Sequence, residues 1–178
     1  MNVDNQSQPP AAEKREYSGA ALLSFILALE DSELVLKKIL RDAGVDRIDP
    51  EAWYDFDWSI AIFYKIEAEV GRAALIEVGR KMIETATYPP EINSLETLLP
   101  TIGYWYALNA RGPDIGTITC EFEDDHSATL DWSARGPCAI RLGILEGACA
   151  RYGVKPLVEH GVDCMDRGGK TCLLHVSW

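Results

Sequence analysis

The chain has 178 residues, of which 47% are apolar and 25% are charged, and its formal net charge is −11. This length suits one domain with a substantial hydrophobic core. No apolar run reaches the roughly 18 residues that a membrane span requires. The 17 basic residues are scattered, which argues against nucleic-acid binding. The composition favours a globular cytoplasmic protein that binds a small neutral molecule or another protein.

The N-terminal segment predicts a disordered leader over residues 1–17. It holds charged residues, Gln, Asn and Pro but no hydrophobic stretch, so it lacks the apolar core of a secretory signal. All five cysteines of the chain lie between Cys120 and Cys172. An odd number without an export signal argues against a disulfide framework. We expect one domain over residues 18–178.

The first half of this domain has helical periodicity. An apolar helix precedes a second one, which begins with Ser32 as N-cap and ends at Gly44. A third helix is predicted to begin with Asp49 as N-cap and Pro50 at its first helical position. Its continuation, RAALIEVGRKMIETA, has apolar residues at four-residue spacing and stops before residues 88–90.

Another helix follows, with Ser94 as N-cap, a kink at Pro100 and an end at Gly112. Aromatic residues cluster in this helix and in the helix predicted to begin at Asp49. Most of them are expected in the core, and some in the wall of a ligand pocket. The candidate pocket residues are Trp53, Phe56, Trp58, Phe63, Tyr104, Trp105 and Tyr106.

The last third of the chain alternates between periods of two and of 3.6 residues. Apolar and polar residues alternate on both sides of a turn at residues 124–126, which predicts a β-hairpin. A helix ending at Gly153 should bury Ile140 and Ile144 and expose Arg141. Two further strands form a second hairpin. The fold class is therefore α+β, with N-terminal helices packed on an antiparallel sheet and a β-β-α-β-β C-terminal half.

Three cysteines stand where these elements join. Cys138 precedes the helix, and antiparallel pairing of the last two strands would bring Cys164 close to Cys172. Thiolates from three segments suit a tetrahedral zinc ion, which usually has four N or S ligands, and His160 is a candidate for the fourth. Buried cysteines that only fill the core are the alternative.

At these residues the sequence resembles a known family. PCAIRLGILEGACARYG followed by VEHGVDCMDRGGKTCLLHVSW is similar to the C-terminal half of the 4-vinyl-reductase-type small-molecule-binding domain. Its superfamily includes the haem nitric-oxide-binding domains and the TRAPP vesicle-tethering subunits. In related sensor domains of phenol-responsive bacterial activators, zinc is held by three Cys and a Glu. The resemblance implies these ligand roles for Cys138, Cys164 and Cys172, whereas Gly161 stands at the position of the Glu.

In the haem-binding relatives that the resemblance names, a histidine on a helix binds the iron. The sequence argues against haem, because its histidines are His126 in a turn and His160 and His175 in or beside strands. Catalysis by Cys164 or Cys172 would need a positive neighbour to lower the thiol pKa, and only Arg167 and Lys170 are obvious candidates. We therefore expect a non-catalytic homodimeric sensor domain that binds a small apolar or aromatic molecule and signals through a separate output protein. A TRAPP-like interaction scaffold without ligand and an accessory enzyme of tetrapyrrole metabolism are the alternatives.

Overall fold

A computed structural model describes residues 14–29 and 33–178 of the chain. The helices are α1 (Gly19–Leu27), α2 (Glu33–Asp42), α3 (Phe56–Val70), α4 (Arg72–Thr85), α5 (Leu95–Leu98), α6 (Thr101–Asn109) and α7 (Cys138–Arg151). The strands are β1 (Glu16–Ser18), β2 (Trp53–Asp55), β3 (Ala110–Arg111), β4 (Ile118–Asp124), β5 (Ser127–Trp132), β6 (Leu157–His160) and β7 (Cys172–Ser177).

The strands form two antiparallel sheets. The larger sheet has the order β4-β5-β7-β6, and its register places Leu130 opposite Leu174 at the centre. Helix α7 connects the β4-β5 hairpin to β6, so the C-terminal half has the predicted β-β-α-β-β order and the α+β class is confirmed. The smaller sheet, β2-β1-β3, consists of two- and three-residue strands that the sequence pattern did not predict.

The N-terminal boundary differs from the predicted one. Strand β1 begins at Glu16, within the segment predicted as a leader, and residues 1–13 of that segment lie outside the described residues. Tyr17 pairs with Tyr54 of β2 and with Ala110 of β3. The predicted N-cap Ser32 lies outside the described residues, and α2 ends at Asp42, two positions before Gly44.

The prediction of a helix start at Asp49 and Pro50 is wrong. The Asp49 carboxylate accepts a hydrogen bond from the backbone N–H of Glu51 (3.0 Å), two residues on, and so forms a turn. The helix begins six residues later, where the carboxylate of Asp55 accepts the backbone N–H of Trp58 (2.8 Å). The carboxylate of Asp accepts a hydrogen bond from a nearby backbone N–H both at a helix N-cap and in a turn. The sequence pattern therefore does not distinguish the two structures.

Pro100 lies between two separate helices, where the sequence predicted a kink within one. Ser94 caps α5 in a capping box with Thr97. Pro100 precedes the first residue of α6. Helix α6 then ends at Asn109, before Gly112, because Ala110 and Arg111 pair with β1.

Helices α4 and α7 pack closely through glycines. A Cβ on Gly143 would lie 2.0 Å from the carbonyl oxygen of Ile76, and one on Gly79 would lie 2.4 Å from that of Ile140. The small residues of LGILEG therefore bring α7 against another helix. Among the described helices, none is both long and apolar enough to cross a membrane.

Candidate metal centre and ligand cavity

Four residues from separate elements meet at one end of the larger sheet. Cys138 is the first residue of α7, His160 the last of β6 and Cys172 the first of β7, while Cys164 precedes a 3₁₀ turn at Met165–Arg167. Their ligating atoms all lie within 4.8 Å of one another. All three cysteines are buried and none is in a disulfide.

These atoms are close enough together to bind one ion, although two of the three sulfur pairs are closer than in a tetrahedral zinc site. The Cys138 sulfur lies 3.2 Å from that of Cys164 and 3.1 Å from that of Cys172, and the Cys164 and Cys172 sulfurs are 3.8 Å apart. His160 Nε2 lies 3.4 Å from the Cys138 sulfur. Tetrahedral ligands about 2.3 Å from a zinc ion are separated by about 3.8 Å. The four groups therefore surround a volume suited to one metal ion.

Backbone contacts hold the connection between β6 and β7 in place. The N–H of Gly169 donates to the carbonyl oxygen of Cys164 (2.8 Å), and the N–H of Met165 points at the Cys172 sulfur (3.2 Å). The carboxylate of Asp166 accepts the N–H of Cys138 (3.0 Å) at the start of α7. A Cβ on Gly169 would lie 2.8 Å from the backbone nitrogen of Cys164, so this close turn requires glycine.

His160 directs Nε2 towards the cysteine cluster, while its Nδ1 faces both the Gly161 carbonyl and the guanidinium of Arg167, 3.3 Å away. Its Nδ1 lies 3.2 Å from the carbonyl oxygen of Gly161, to which an Nδ1–H can donate. Such an outer hydrogen bond is typical of metal-binding histidines, because it leaves the other ring nitrogen unprotonated. The guanidinium of Arg167 also donates to the Gly161 carbonyl (2.9 Å).

The thiols of this cluster differ in acidity. Burial raises the pKa of the Cys138 thiol well above its ordinary value, and hydrogen bonds with the other two thiols add to this effect. Burial acts in the same direction on Cys164, but hydrogen bonds from Cys138 and from the backbone of Asp166 lower its pKa overall. Cys164 is thus the more readily ionised of the two.

Arg141 contradicts the sequence-based expectation of an exposed side chain, since it is only 2% exposed. Its Nη1 contacts the Cys172 sulfur and lies 3.4 Å from that of Cys138. Its Nη2 donates to the carbonyl oxygens of Ala134 (2.9 Å) and Gly136 (2.8 Å). Arg141 follows Cys138 by three residues on α7, so both side chains lie on the same face of the helix. The two carbonyl acceptors offset the cost of burying the charged guanidinium.

A cavity of about 380 Å³ lies between helices α1, α4, α6 and α7 and strands β4 and β5. Its wall is mostly apolar. Three of the predicted pocket residues line it, namely Phe63, Trp105 and Tyr106. The indole Nε1 of Trp105 is buried without a hydrogen-bond partner, and the Tyr106 hydroxyl donates to the Ile115 carbonyl (2.5 Å). This size and lining are typical of a small-molecule site.

The other four predicted pocket residues do not line the cavity. Phe56 is fully buried and packs against Tyr17, with ring centroids 6.3 Å apart. Trp58 donates its Nε1–H to the Ala43 carbonyl (3.1 Å) in the helical core. Trp53 lies under the guanidinium of Arg111, 3.9 Å from it, and Tyr104 is 61% exposed.

Several wall residues were not predicted. Tyr17 and Phe25 enter from the N-terminal segment, Met82 from α4, and Trp132 and Ile140 from the C-terminal half. The alternation of β5 indicated that Trp132 is buried, but not that it borders a cavity. Burial raises the pKa of Tyr17 to about 12, so its phenol stays neutral at physiological pH.

No family model matches the sequence, and none of the curated proteins searched matches it. Solved structures of H-NOX domains are similar in fold. One, from a study of haem distortion in the H-NOX family, has a TM-score of 0.71 and 18% identity, covering 90% of this chain and 94% of that chain. Another is an oxygen-binding H-NOX domain related to soluble guanylate cyclases, with a TM-score of 0.70 and 19% identity over 90% and 94% of the two chains.

A third structure is a mutant H-NOX protein from S. oneidensis in the Fe(II) ligation state, with a TM-score of 0.66 and 15% identity over 90% and 95% of the chains. At these identities the likeness shows the fold.

The chain has the fold of domains studied for their haem, so the prediction that haem is an unlikely cofactor is wrong. The residues of the cavity wall decide which iron ligands a haem bound there would have. Within the described part of the chain no histidine lines it. Tyrosine and methionine also bind haem iron in proteins, and the wall contains Tyr17, Tyr88, Tyr106 and Met82. Ligation by a proximal histidine therefore does not fit this cavity, whereas ligation by tyrosine or methionine matches the residues present.

Proposed function

We propose that this chain is a non-catalytic sensor domain of the 4-vinyl-reductase-like kind, whose cavity binds a small apolar or aromatic molecule. The cavity carries this proposal, because its wall combines aromatic and aliphatic side chains from both halves of the domain. A ligand there contacts α1, α6 and α7 together, so its binding shifts the relative positions of these helices. A separate output protein would respond to that shift.

We further propose that Cys138, Cys164, Cys172 and His160 bind one divalent metal ion of the kind favoured by thiolate and imidazole ligands. Four protein ligands close the coordination shell, which is typical of structural and not catalytic sites. The ion would tie the start of α7 to both strands of the C-terminal hairpin. It would thereby stabilise one end of the cavity.

Haem is the second candidate for the cavity, and the fold of the H-NOX domains favours it. The tyrosines and Met82 of the wall are its candidate iron ligands. Haem added to the purified protein would give a sharp Soret band if one of these residues ligates the iron. A matching loss of binding in Tyr106→Phe or Met82→Leu would identify the ligand.

The cavity favours a sensor over a scaffold with a filled core. Native mass spectrometry of protein purified without added ligand separates the alternatives, since one spectrum reports bound molecule, metal and oligomeric state. We expect a mass increase for one metal ion and a dimer. A ligand-free chain that also fails to bind the neutral fluorescent aromatic N-phenyl-1-naphthylamine would favour the TRAPP-like scaffold. Turnover of a tetrapyrrole would instead support the accessory enzyme.

A further inference from the structure

Strand β4 is an open edge of the larger sheet. In the order β4-β5-β7-β6 it pairs on one side with β5, and among the described residues no strand pairs with its other side. It has seven residues, whereas β6 at the opposite edge has four. An edge strand presents unpaired backbone N–H and C=O groups, with which another extended chain can form hydrogen bonds.

An apolar side chain lies open beside this edge. Phe122 stands opposite the buried Ala128 of β5, on the face of β4 that points to the core, yet it is 40% exposed. Its ring packs edge-on against Trp178, with ring centroids 6.5 Å apart. Helix α6 packs against the start of the strand, where a Cβ on Gly103 would lie 2.1 Å from the carbonyl oxygen of Ile118. Residues 121–124 are all exposed, so a strand added beside β4 would cover the open part of Phe122.

The strands of this sheet carry one sign of charge. None of the four contains Lys or Arg, and their acidic residues are Glu121, Glu123, Asp124, Asp131 and Glu159. Antiparallel pairing of β4 with a second copy of itself would bring these glutamates against each other, and like charges on facing strands are destabilising. The acidic edge therefore favours a basic partner over a second copy of this chain.

We propose that β4 binds an extended segment of a partner protein in which Lys or Arg alternate with apolar residues, and that this segment is added to the sheet as a further strand. Successive side chains of a strand point to opposite faces. The basic side chains would therefore lie beside Glu121 and Glu123, and the apolar ones beside Phe122. In such strand addition the backbone hydrogen bonds supply affinity and the alternating side chains supply specificity. This inference goes beyond the proposed function and requires neither the cavity nor the metal centre.

The test uses the full chain and the fluorescently labelled peptide Lys-Val-Lys-Val-Lys-Val-Lys, which has as many residues as β4. Fluorescence anisotropy measures its binding, and hydrogen exchange of backbone amides locates it. We expect the bound peptide to slow exchange within residues 118–124, because edge N–H groups gain acceptors. A peptide with Glu in place of every Lys should not bind. One with Pro in place of the central Val should bind about fivefold more weakly or worse, because proline cannot donate to the ladder.

A charge reversal on the edge tests the direction of recognition. Glu121→Lys should lower the affinity for the Lys peptide about fivefold, because an attractive cross-strand pair becomes a repulsive one. Glu159→Lys is the matched control, since it makes the same change in net charge at an exposed position of β6, the other edge strand. It should bind the peptide as the wild type does.

Each of the other outcomes refutes strand addition at β4. Failure of the Lys peptide to bind, or equal binding of the Glu peptide, removes the basic partner. If Glu159→Lys weakens binding as much as Glu121→Lys does, the acidic sheet as a whole attracts the peptide and the edge is not its site. Binding that leaves hydrogen exchange in β4 unchanged, or that tolerates the Pro peptide fully, excludes an added strand.

Discussion

The sulfur of Cys138 lies 3.1 Å from that of Cys172, although the two residues are 34 positions apart in the chain. One is the first residue of α7 and the other the first residue of β7. A contact between side chains so far apart in sequence joins the two halves of the β-β-α-β-β unit at one point. An ion bound there stabilises that junction, since it binds the folded chain and not the unfolded one.

Zinc should therefore raise the melting temperature of the wild-type protein. At a free concentration a hundred times the dissociation constant, binding stabilises a fold by about 2.7 kcal/mol. For a chain of this size that corresponds to an increase of about 5–10 °C. Calorimetry with zinc and with a chelator measures the difference, and Cys172→Ala should abolish it.

Cys120→Ala is the matched control for this cysteine substitution. Cys120 lies in β4, is only partly buried and does not belong to the cluster. Its loss should leave zinc content at one equivalent per chain. A Cys172→Ala protein that still bound zinc as tightly as the wild type would contradict the four-ligand centre.

Gly143→Ala should destabilise the fold, because the new Cβ would lie 2.0 Å from the carbonyl oxygen of Ile76. Helices α4 and α7 would have to separate, which typically costs about 1–3 kcal/mol. Urea denaturation measures the change. Ala150→Ser, at an exposed position of the same helix, should change the free energy of unfolding by about 0.5 kcal/mol or less. Equal stability of the two variants would show that the helices can move apart freely.

Filling the cavity should block it without unfolding the chain. Ala21 lines the cavity, so Ala21→Phe places a ring in the space available to a ligand. We expect its affinity for N-phenyl-1-naphthylamine to fall about tenfold or more, because the pocket volume that buries the ligand is lost. Ala61→Phe adds the same ring on the exposed side of α3 and should bind the probe normally. Unchanged binding to Ala21→Phe would place the probe elsewhere.

Glu67 should make the stability of the protein depend on pH. Burial raises the pKa of this carboxyl above its usual value of 4.5, the charge of Asp166 adds to the effect, and Arg72 opposes it. The folded state therefore binds this proton more tightly than the unfolded state. Its contribution is most favourable below pH 4.5 and declines as pH rises through the raised pKa.

Glu67→Gln should consequently be more stable than the wild type at pH 7, by about 1 kcal/mol or less, since the site is partly solvated. The difference should shrink as the pH falls towards 4. Thermal unfolding across this range measures it, with the exposed Glu84→Gln as control. A constant difference at every pH would point to an effect of packing instead of charge.

Local patterns predicted some parts of the site but not others. The meeting of Cys164 with Cys172 followed from the alternation of the last strands and the glycines between them, because a hairpin is a short-range structure. The aromatic residues of α3 show the limit. Phe56 and Phe63 lie on one helix and are both buried, yet only Phe63 borders the cavity. Which buried face meets a cavity depends on how other elements pack against it.

The sequence by itself determined the α+β class, the order of elements in the C-terminal half and the cysteines at their junctions, because period, turn residues and caps act over a few neighbouring positions. Only the tertiary structure decided that Arg141 is buried against two sulfurs, that Tyr17 joins a small sheet and that helices and strands enclose a cavity. These features arise between residues far apart in the chain. Their energies depend on burial and on distances that no local pattern contains.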